Sequence, residues 1–270
     1  MVLSQYKIRN LITIKNSLKS FSIAILAFFL SACSAPCNLQ KEKKSFDQIS
    51  KTKCETFTCI SEVDSTLQSD LETQGKRMFQ IYLIRHAKPN VKKNWFYSAD
   101  EAKQYVLDYN SVPIIPFDSS LVAVNLRPNH IIYCSSLPRA QETALKIFGD
   151  KFPVVSDSIF REFEIRMISA SSFLKMPLGI WQAFSRGSWM LGFNHRGIES
   201  HKEAKLRARQ ASENLIKVAY DEETAVLVAH GMLNGAIAKE LEKKGWKLIQ
   251  KQGHVNLGAT ILVKTVDIND

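Results

Sequence analysis

Four short runs rich in β-branched and aromatic residues set the strongest constraint on this chain. They are FQIYLI (79–84), IIYC (131–134), TAVLVA (224–229) and GATILVK (258–264). Their apolar residues do not alternate with polar ones, the mark of strands covered on both faces. Stretches with helical periodicity separate them, at 139–148, 200–219 and 233–245. Strands alternating with helices predict an α/β fold, a three-layer α/β/α sandwich around a mostly parallel central sheet. Residues 79–268 form the domain that this pattern defines, long enough to bury a core of its own.

The ends of these runs carry the chemistry. The first is followed by Arg85-His86-Ala87 and the third by His230-Gly231, in a chain with 6 histidines. Ligands of parallel sheets sit outside the carboxyl ends of the strands, so both imidazoles fall on one rim. The second run leads into SSLPRAQETA, where Ser135 or Ser136 can cap a helix and Pro138 fits its first turn. Arg139 then lies in that first turn, where free backbone N–H groups favour anions. Two guanidiniums beside two imidazoles suit a phosphate: Arg matches its oxygens with a planar fork, and a neutral imidazole can attack phosphorus. A proton donor for the leaving oxygen lies in FREFE, where Glu162 and Glu164 are two apart. Walker A, nucleophile-elbow and dinucleotide motifs are absent. Cys134 is followed by Arg139 with one residue too few between them for a cysteine-phosphatase loop.

These segments together resemble the histidine phosphatase superfamily, the phosphoglycerate-mutase-like fold. LIRHA (83–87) is close to its Arg-His-Gly signature, SSLPRAQETA (135–144) to its second Arg segment, FRE (160–162) to its acid motif and VAHG (228–231) to its second His segment. The resemblance runs from about residue 79 to 264. It implies a metal-independent phosphomonoester hydrolase that uses no cofactor. In it His86 becomes a phosphohistidine, while Arg85, Arg139 and His230 bind the phosphoryl oxygens and stabilise the transition state. Glu162, rather than Glu164, serves as general acid and then base. Ala87 stands where Gly is usual, and Lys88 and Pro89 replace the acid and hydroxyl residue of the mutase branch. The alternatives are a catalytically inactive phosphatase-like lipoprotein serving as a binding module and, less favoured, a phosphoglycerate-mutase-type phosphotransferase.

The front of the chain reads differently. Lys7, Arg9, Lys15 and Lys19 precede the apolar run FSIAILAFFL and then LSAC (30–33), with no acid in the stretch. A basic segment, a short apolar run and small residues form a signal peptide over residues 1–32. LSAC resembles the lipobox of bacterial lipoproteins, which implies cleavage after Ala32 and a lipid on Cys33. The expectation is an exported chain, lipid-anchored to a bacterial membrane on its periplasmic side or at the cell surface, with residues 33–78 as a polar tether. Its partners would be the membrane, through Cys33, and a phosphorylated small-molecule or lipid-linked substrate. Without the leader, 32 basic residues face 26 acidic ones, a balance of +6 that does not call for nucleic acid. Cys37, Cys54, Cys59 and Cys134 remain, and export makes disulfides possible, with Cys54 and Cys59 the nearest pair.

A cap-like insertion is expected around residues 165–199. It holds Trp181, Phe184, Trp189, Met190, Leu191 and Phe193. Either these pack into a small cap, or they contact an apolar leaving group or the membrane surface, with Lys175, Arg186 and Arg196 beside them.

Overall fold

The computed structural model describes residues 75–267. The leader, Cys33, the tether up to residue 74 and the Cys54–Cys59 pairing lie outside the described residues. In chain order the elements are β1 (Lys76–Arg85), α1 (Ala99–Ser111), β2 (Ile132–Ser135), α2 (Pro138–Phe148), β3 (Val154–Asp157), α3 (Leu178–Met190), α4 (His201–Glu222), β4 (Thr224–Ala229), α5 (Gly231–Lys243), β5 (Lys247–Lys251) and β6 (Ala259–Asp267). β1 starts at Lys76, three residues before the run that announced it. The strands form one six-stranded sheet in the order β3-β2-β4-β1-β6-β5.

Side chains of a strand alternate between faces, so a continuous apolar run feeds two cores at once. Phe79, Ile81 and Leu83 of β1 join Ala225, Leu227 and Ala229 of β4 in a core under α4 and α5. Tyr82 and Ile84 join Val226 and Val228 in a second core under α2, with Ile132, Ala144 and Phe148. That is the expected three-layer arrangement. On α4 the buried stripe is Ala204, Ala208, Ala211, Leu215 and Ala219. Its small side chains let the helix lie close to the sheet. Ser200 and Glu203 close a capping box at its start.

The pairings β1–β4, β2–β4 and β2–β3 are parallel, as expected. The fourth expected strand, β6, instead runs antiparallel to β1. It pairs with β5, also antiparallel, across the short connection 252–258, which is too short for a parallel crossover. Neither β3 nor β5 was expected: VVSD and KLIQK are short edge strands with mixed polarity, and edge strands lack the apolar density of central ones.

A third, smaller core joins Tyr97, Ala102, Tyr105, Met167 and Trp181. It packs α1 against α3, both unanticipated, and α3 lies in the insertion around residues 165–199. Tyr97 and Met176 exchange backbone hydrogen bonds at 2.9 Å, and the Trp181 indole N–H donates to the Tyr97 carbonyl at 2.7 Å. The Trp189 N–H donates to the Glu199 carbonyl at 2.8 Å. Both tryptophans are buried, Trp181 in this third core and Trp189 in the core under α4 and α5. The cap's other aromatics stay exposed. Cys134 is a buried free thiol in the second core.

Connection 252–258 folds tightly against the rim. A Cβ on Gly258 would lie 2.0 Å from the Gln252 carbonyl oxygen and 2.7 Å from Val255. The Gly258 carbonyl accepts from the Arg85 N–H at 2.9 Å. Gly258→Ala is therefore expected to cost about 1–3 kcal/mol of stability, read by urea denaturation. An unchanged midpoint would show that the turn yields freely.

Candidate active site

Arg85 and Ala229 are paired at the ends of β1 and β4. The residues that follow each, His86 and His230, therefore leave the sheet side by side. The His86 N–H donates to the Ala229 carbonyl at 2.9 Å, and the two rings stand 5.1 Å apart, centroid to centroid.

The tautomer of His86 follows from its neighbours. Its Nδ1 lies 2.6 Å from the Ala87 carbonyl oxygen, which can only accept, so Nδ1 carries the proton. Nε2 is left with the lone pair, and Arg139 Nε donates to it at 3.2 Å. Burial, then the charge of Arg139, lowers the His86 pKa to about 3. The ring is a neutral imidazole with its nucleophilic nitrogen against a guanidinium. Backbone contacts hold it there: Asn256 Nδ2 donates to the His86 carbonyl at 2.9 Å, and the Ala87 N–H donates to Thr143 Oγ1 at 2.9 Å.

Arg139 sits in the first turn of α2, as expected. It is buried, donates to Asn110 Oδ1 at 2.8 Å and stacks over the Tyr109 ring at 5.1 Å. Arg85 donates to the His254 carbonyl at 2.5 Å, while its Nε is buried without a partner. His230 is fully buried behind His86 and does not itself line the cleft. Ser135 Oγ holds its Nε2 at 2.7 Å, and its Nδ1 has no partner. Burial holds its pKa well below the ordinary value, with Arg139 adding to the effect. Ser135 does not cap α2, whose cap residue is Leu137 without a side-chain bond. The serine serves His230 instead.

Glu162 reaches over the start of α5. Its carboxylate accepts from the N–H groups of Phe163, Leu233 and Met232 at 3.0, 3.1 and 3.2 Å. The last two belong to the first turn of the helix that His230 caps, where N–H groups lack helical partners. Glu164 is more exposed and lies 3.8 Å from Arg161.

These groups open onto a cleft of about 390 Å³. Arg85, Lys93, Arg139, Arg161 and Arg186 line it against two carboxylates, Glu162 and Glu164. Arg186, on α3, is tied to the Glu164 and Phe163 carbonyls at 2.5 Å each. The cleft is thus cationic, with a neutral imidazole on its floor and a carboxylate on its wall. Among the described residues no group of three or more His, Cys, Asp or Glu is placed to hold a metal ion. Tyr109, Asn110 and Thr143 went unread in the sequence, where Ser135 reads as a helix cap and Arg186 as a cation beside the aromatics of the insertion. Only Thr143 carried a signal, four residues after Arg139 on the same helix.

The family model of the histidine phosphatase superfamily (branch 1) matches residues 122–267, more than half of the chain. The match takes in Arg139, Glu162 and His230 and begins after Arg85 and His86. A comparison with curated proteins gave no match. Among solved structures, phosphoglycerate mutase from Bacillus anthracis is similar at 15% identity, covering 71% of this chain and 90% of that one, with a TM-score of 0.47. A structure described as mycobacterial hydrolase 1 is similar at 17% identity, with coverage of 69% and 92% and a TM-score of 0.44. A phosphoserine phosphatase mutant from Entamoeba histolytica, in complex with phosphoserine, is similar at 20% identity, with coverage of 67% and 89% and a TM-score of 0.37.

The lowered His86 pKa has a stability consequence. Between about 3 and the ordinary 6.5, only the unfolded chain binds this proton, so stability is full above that window and falls as pH drops through it. From neutral pH to about pH 4, His86 should account for a loss of about 3 kcal/mol. His230 acts in the same sense. Urea denaturation at both pH values should find a smaller acid loss in His86→Asn than in the unaltered chain. Equal losses would show that His86 is not held neutral.

Proposed function

This chain belongs to the histidine phosphatase superfamily, branch 1, and we propose that it hydrolyses phosphomonoesters through a phosphohistidine on His86. One observation carries the reading: His86 is a neutral imidazole whose Nε2 lone pair faces a buried guanidinium at the floor of a cationic cleft. Arg139 passes its hydrogen bond from Nε2 to a phosphoryl oxygen as the substrate seats. Arg85 Nε, buried and unpartnered on the cleft lining, gains a partner in a phosphoryl oxygen, and His230 Nδ1, unpartnered beside His86, gains one only once the phosphoryl group has settled onto the His86 ring. Charge on those oxygens is neutralised by fixed guanidiniums, which is most of what phosphoryl transfer needs.

Nε2 attacks phosphorus as the ester P–O bond breaks, and Glu162 delivers a proton to the leaving oxygen. In the second half Glu162 takes a proton from water, the hydroxide attacks phosphorus, the N–P bond breaks and phosphate leaves with His86 neutral again. Glu162 rather than Glu164 fits this task, because it is fixed by three N–H groups on the wall beside His86. Mechanism and volume together suit a phosphate carrying a small leaving group, with any larger portion left outside the cleft. The leader and lipobox support anchorage of the chain to a membrane through Cys33.

The test is phosphate release by the whole chain in detergent, with a chelator present, over soluble and lipid phosphomonoesters. His86→Ala should reduce release to background, and acid-labile phosphate should be trapped on the unaltered protein. Release that survives His86→Ala would overturn the reading, and phosphate binding without turnover would favour a binding module. Glu162→Gln should slow esters with poor leaving groups by about 10²–10⁴-fold while sparing those with good ones. Rates left unchanged on both would move the acid to Glu164.

A further inference from the structure

The cap carries an apolar, cationic surface that nothing in the described domain covers, and we infer that it docks on an anionic membrane surface. Helix α3 shows the logic. Trp181, Ser185 and Trp189 recur every fourth residue and are buried, Trp181 in the cap and Trp189 in the core under α4 and α5. Leu178, Gln182 and Arg186 recur on a second stripe and line the cleft. Ile180, Phe184 and Leu191 form a third, 41, 51 and 74% exposed. A helix that is apolar beyond its buried face calls for a second cover.

The neighbouring segments present more of the same. Trp95 is 90% exposed and Phe173 is 95% exposed. The antiparallel bridge between Tyr97 and Met176 fixes both in the cap, running Trp95 toward the start of α3 and Phe173 toward the start of α1. Phe193, just past α3, is 81% exposed.

The charge says what covers this surface. Segments 88–99 and 165–198, which build it, hold seven basic residues and no acid. Arg186 of the seven is tied inward, and Lys175 shares Glu101 at 3.8 Å. Lys92, Lys93 and Arg196 stay exposed. Exposed Trp and Phe among Lys and Arg match the interface of an anionic bilayer, where rings sit at headgroup level and cations meet lipid phosphates. A second copy of the chain would bring the same cations face to face. The docking lies on the bilayer, not through it: α3 has 13 residues, and no helix among the described residues is long and apolar enough to cross. With Cys33 anchored, residues 34–74 reach at most roughly 140 Å, which allows the cap to meet the membrane.

The whole chain, reconstituted in vesicles of phosphatidylcholine and phosphatidylglycerol, tests this through brominated phosphatidylcholine. Trp181, Trp189 and Trp246 are buried, so contact quenching reads Trp95. Quenching of that component by about twofold is expected, lost in Trp95→Phe and restored when Phe184→Trp is added to it. It should weaken in vesicles of phosphatidylcholine alone. No quenching at either position in anionic vesicles would overturn the inference, and equal quenching in neutral ones would overturn its electrostatic part. Trp95 emission already blue-shifted without vesicles would also overturn it, in favour of a protein covering the face. Quenching reports contact and not turnover, so this inference and the phosphatase reading fail separately.

Discussion

The parallel pairing of β1 with β4 fixes where chemistry can occur. Arg85 faces Ala229 in register, and the next residue on each strand is a histidine. A slip of one residue would put Leu83 and Leu227 on opposite faces of the sheet and swing His86 away from His230. The apolar alternation that fills two cores therefore also sets the distance between two imidazoles. Neither ring is placed by a flexible loop. His230 caps α5, and the same helix end receives Glu162. One strand pair and one helix terminus hold both imidazoles and the carboxylate.

Desolvation sharpens these groups. Burial and nearby guanidiniums keep both imidazoles neutral, so His86 offers a lone pair wherever the pH stays above about 3. Arg139 is also buried, but it has a ring beneath it and an amide across from it, and it retains its charge. A neutral imidazole thus sits beside a permanent cation. That contrast depends on two groups with very different proton affinities sharing one dry floor.

The sequence showed the central strands and four site residues because each lay in a dense local pattern: an apolar run, then a histidine or a helix-starting arginine. It hid what depends on long-range contact. Ser135 looked like a helix cap, since its distance to His230 across 95 positions leaves no local trace. Asn110 is an exposed residue near the end of a polar helix until the fold brings Arg139 against it. β5 and β3 lack apolar density because they lie at sheet edges. The direction of β6 followed from the length of connection 252–258 and not from its composition. The cap aromatics were legible as a group, but burial divided them: two tryptophans became core and the rest stayed on the surface.

Cys134 is the one cysteine among the described residues, and it lies fully buried at the end of β2. Burial pushes its thiol up to about 11. Attack on a disulfide requires a thiolate that can reach a sulfur, and this group meets neither condition while β2 is paired. The domain can thus sit in an oxidising compartment without exchanging partners with Cys37, Cys54 or Cys59. Its reactivity toward an alkylating reagent becomes a clock for the sheet: the thiol reacts only as often as β2 opens.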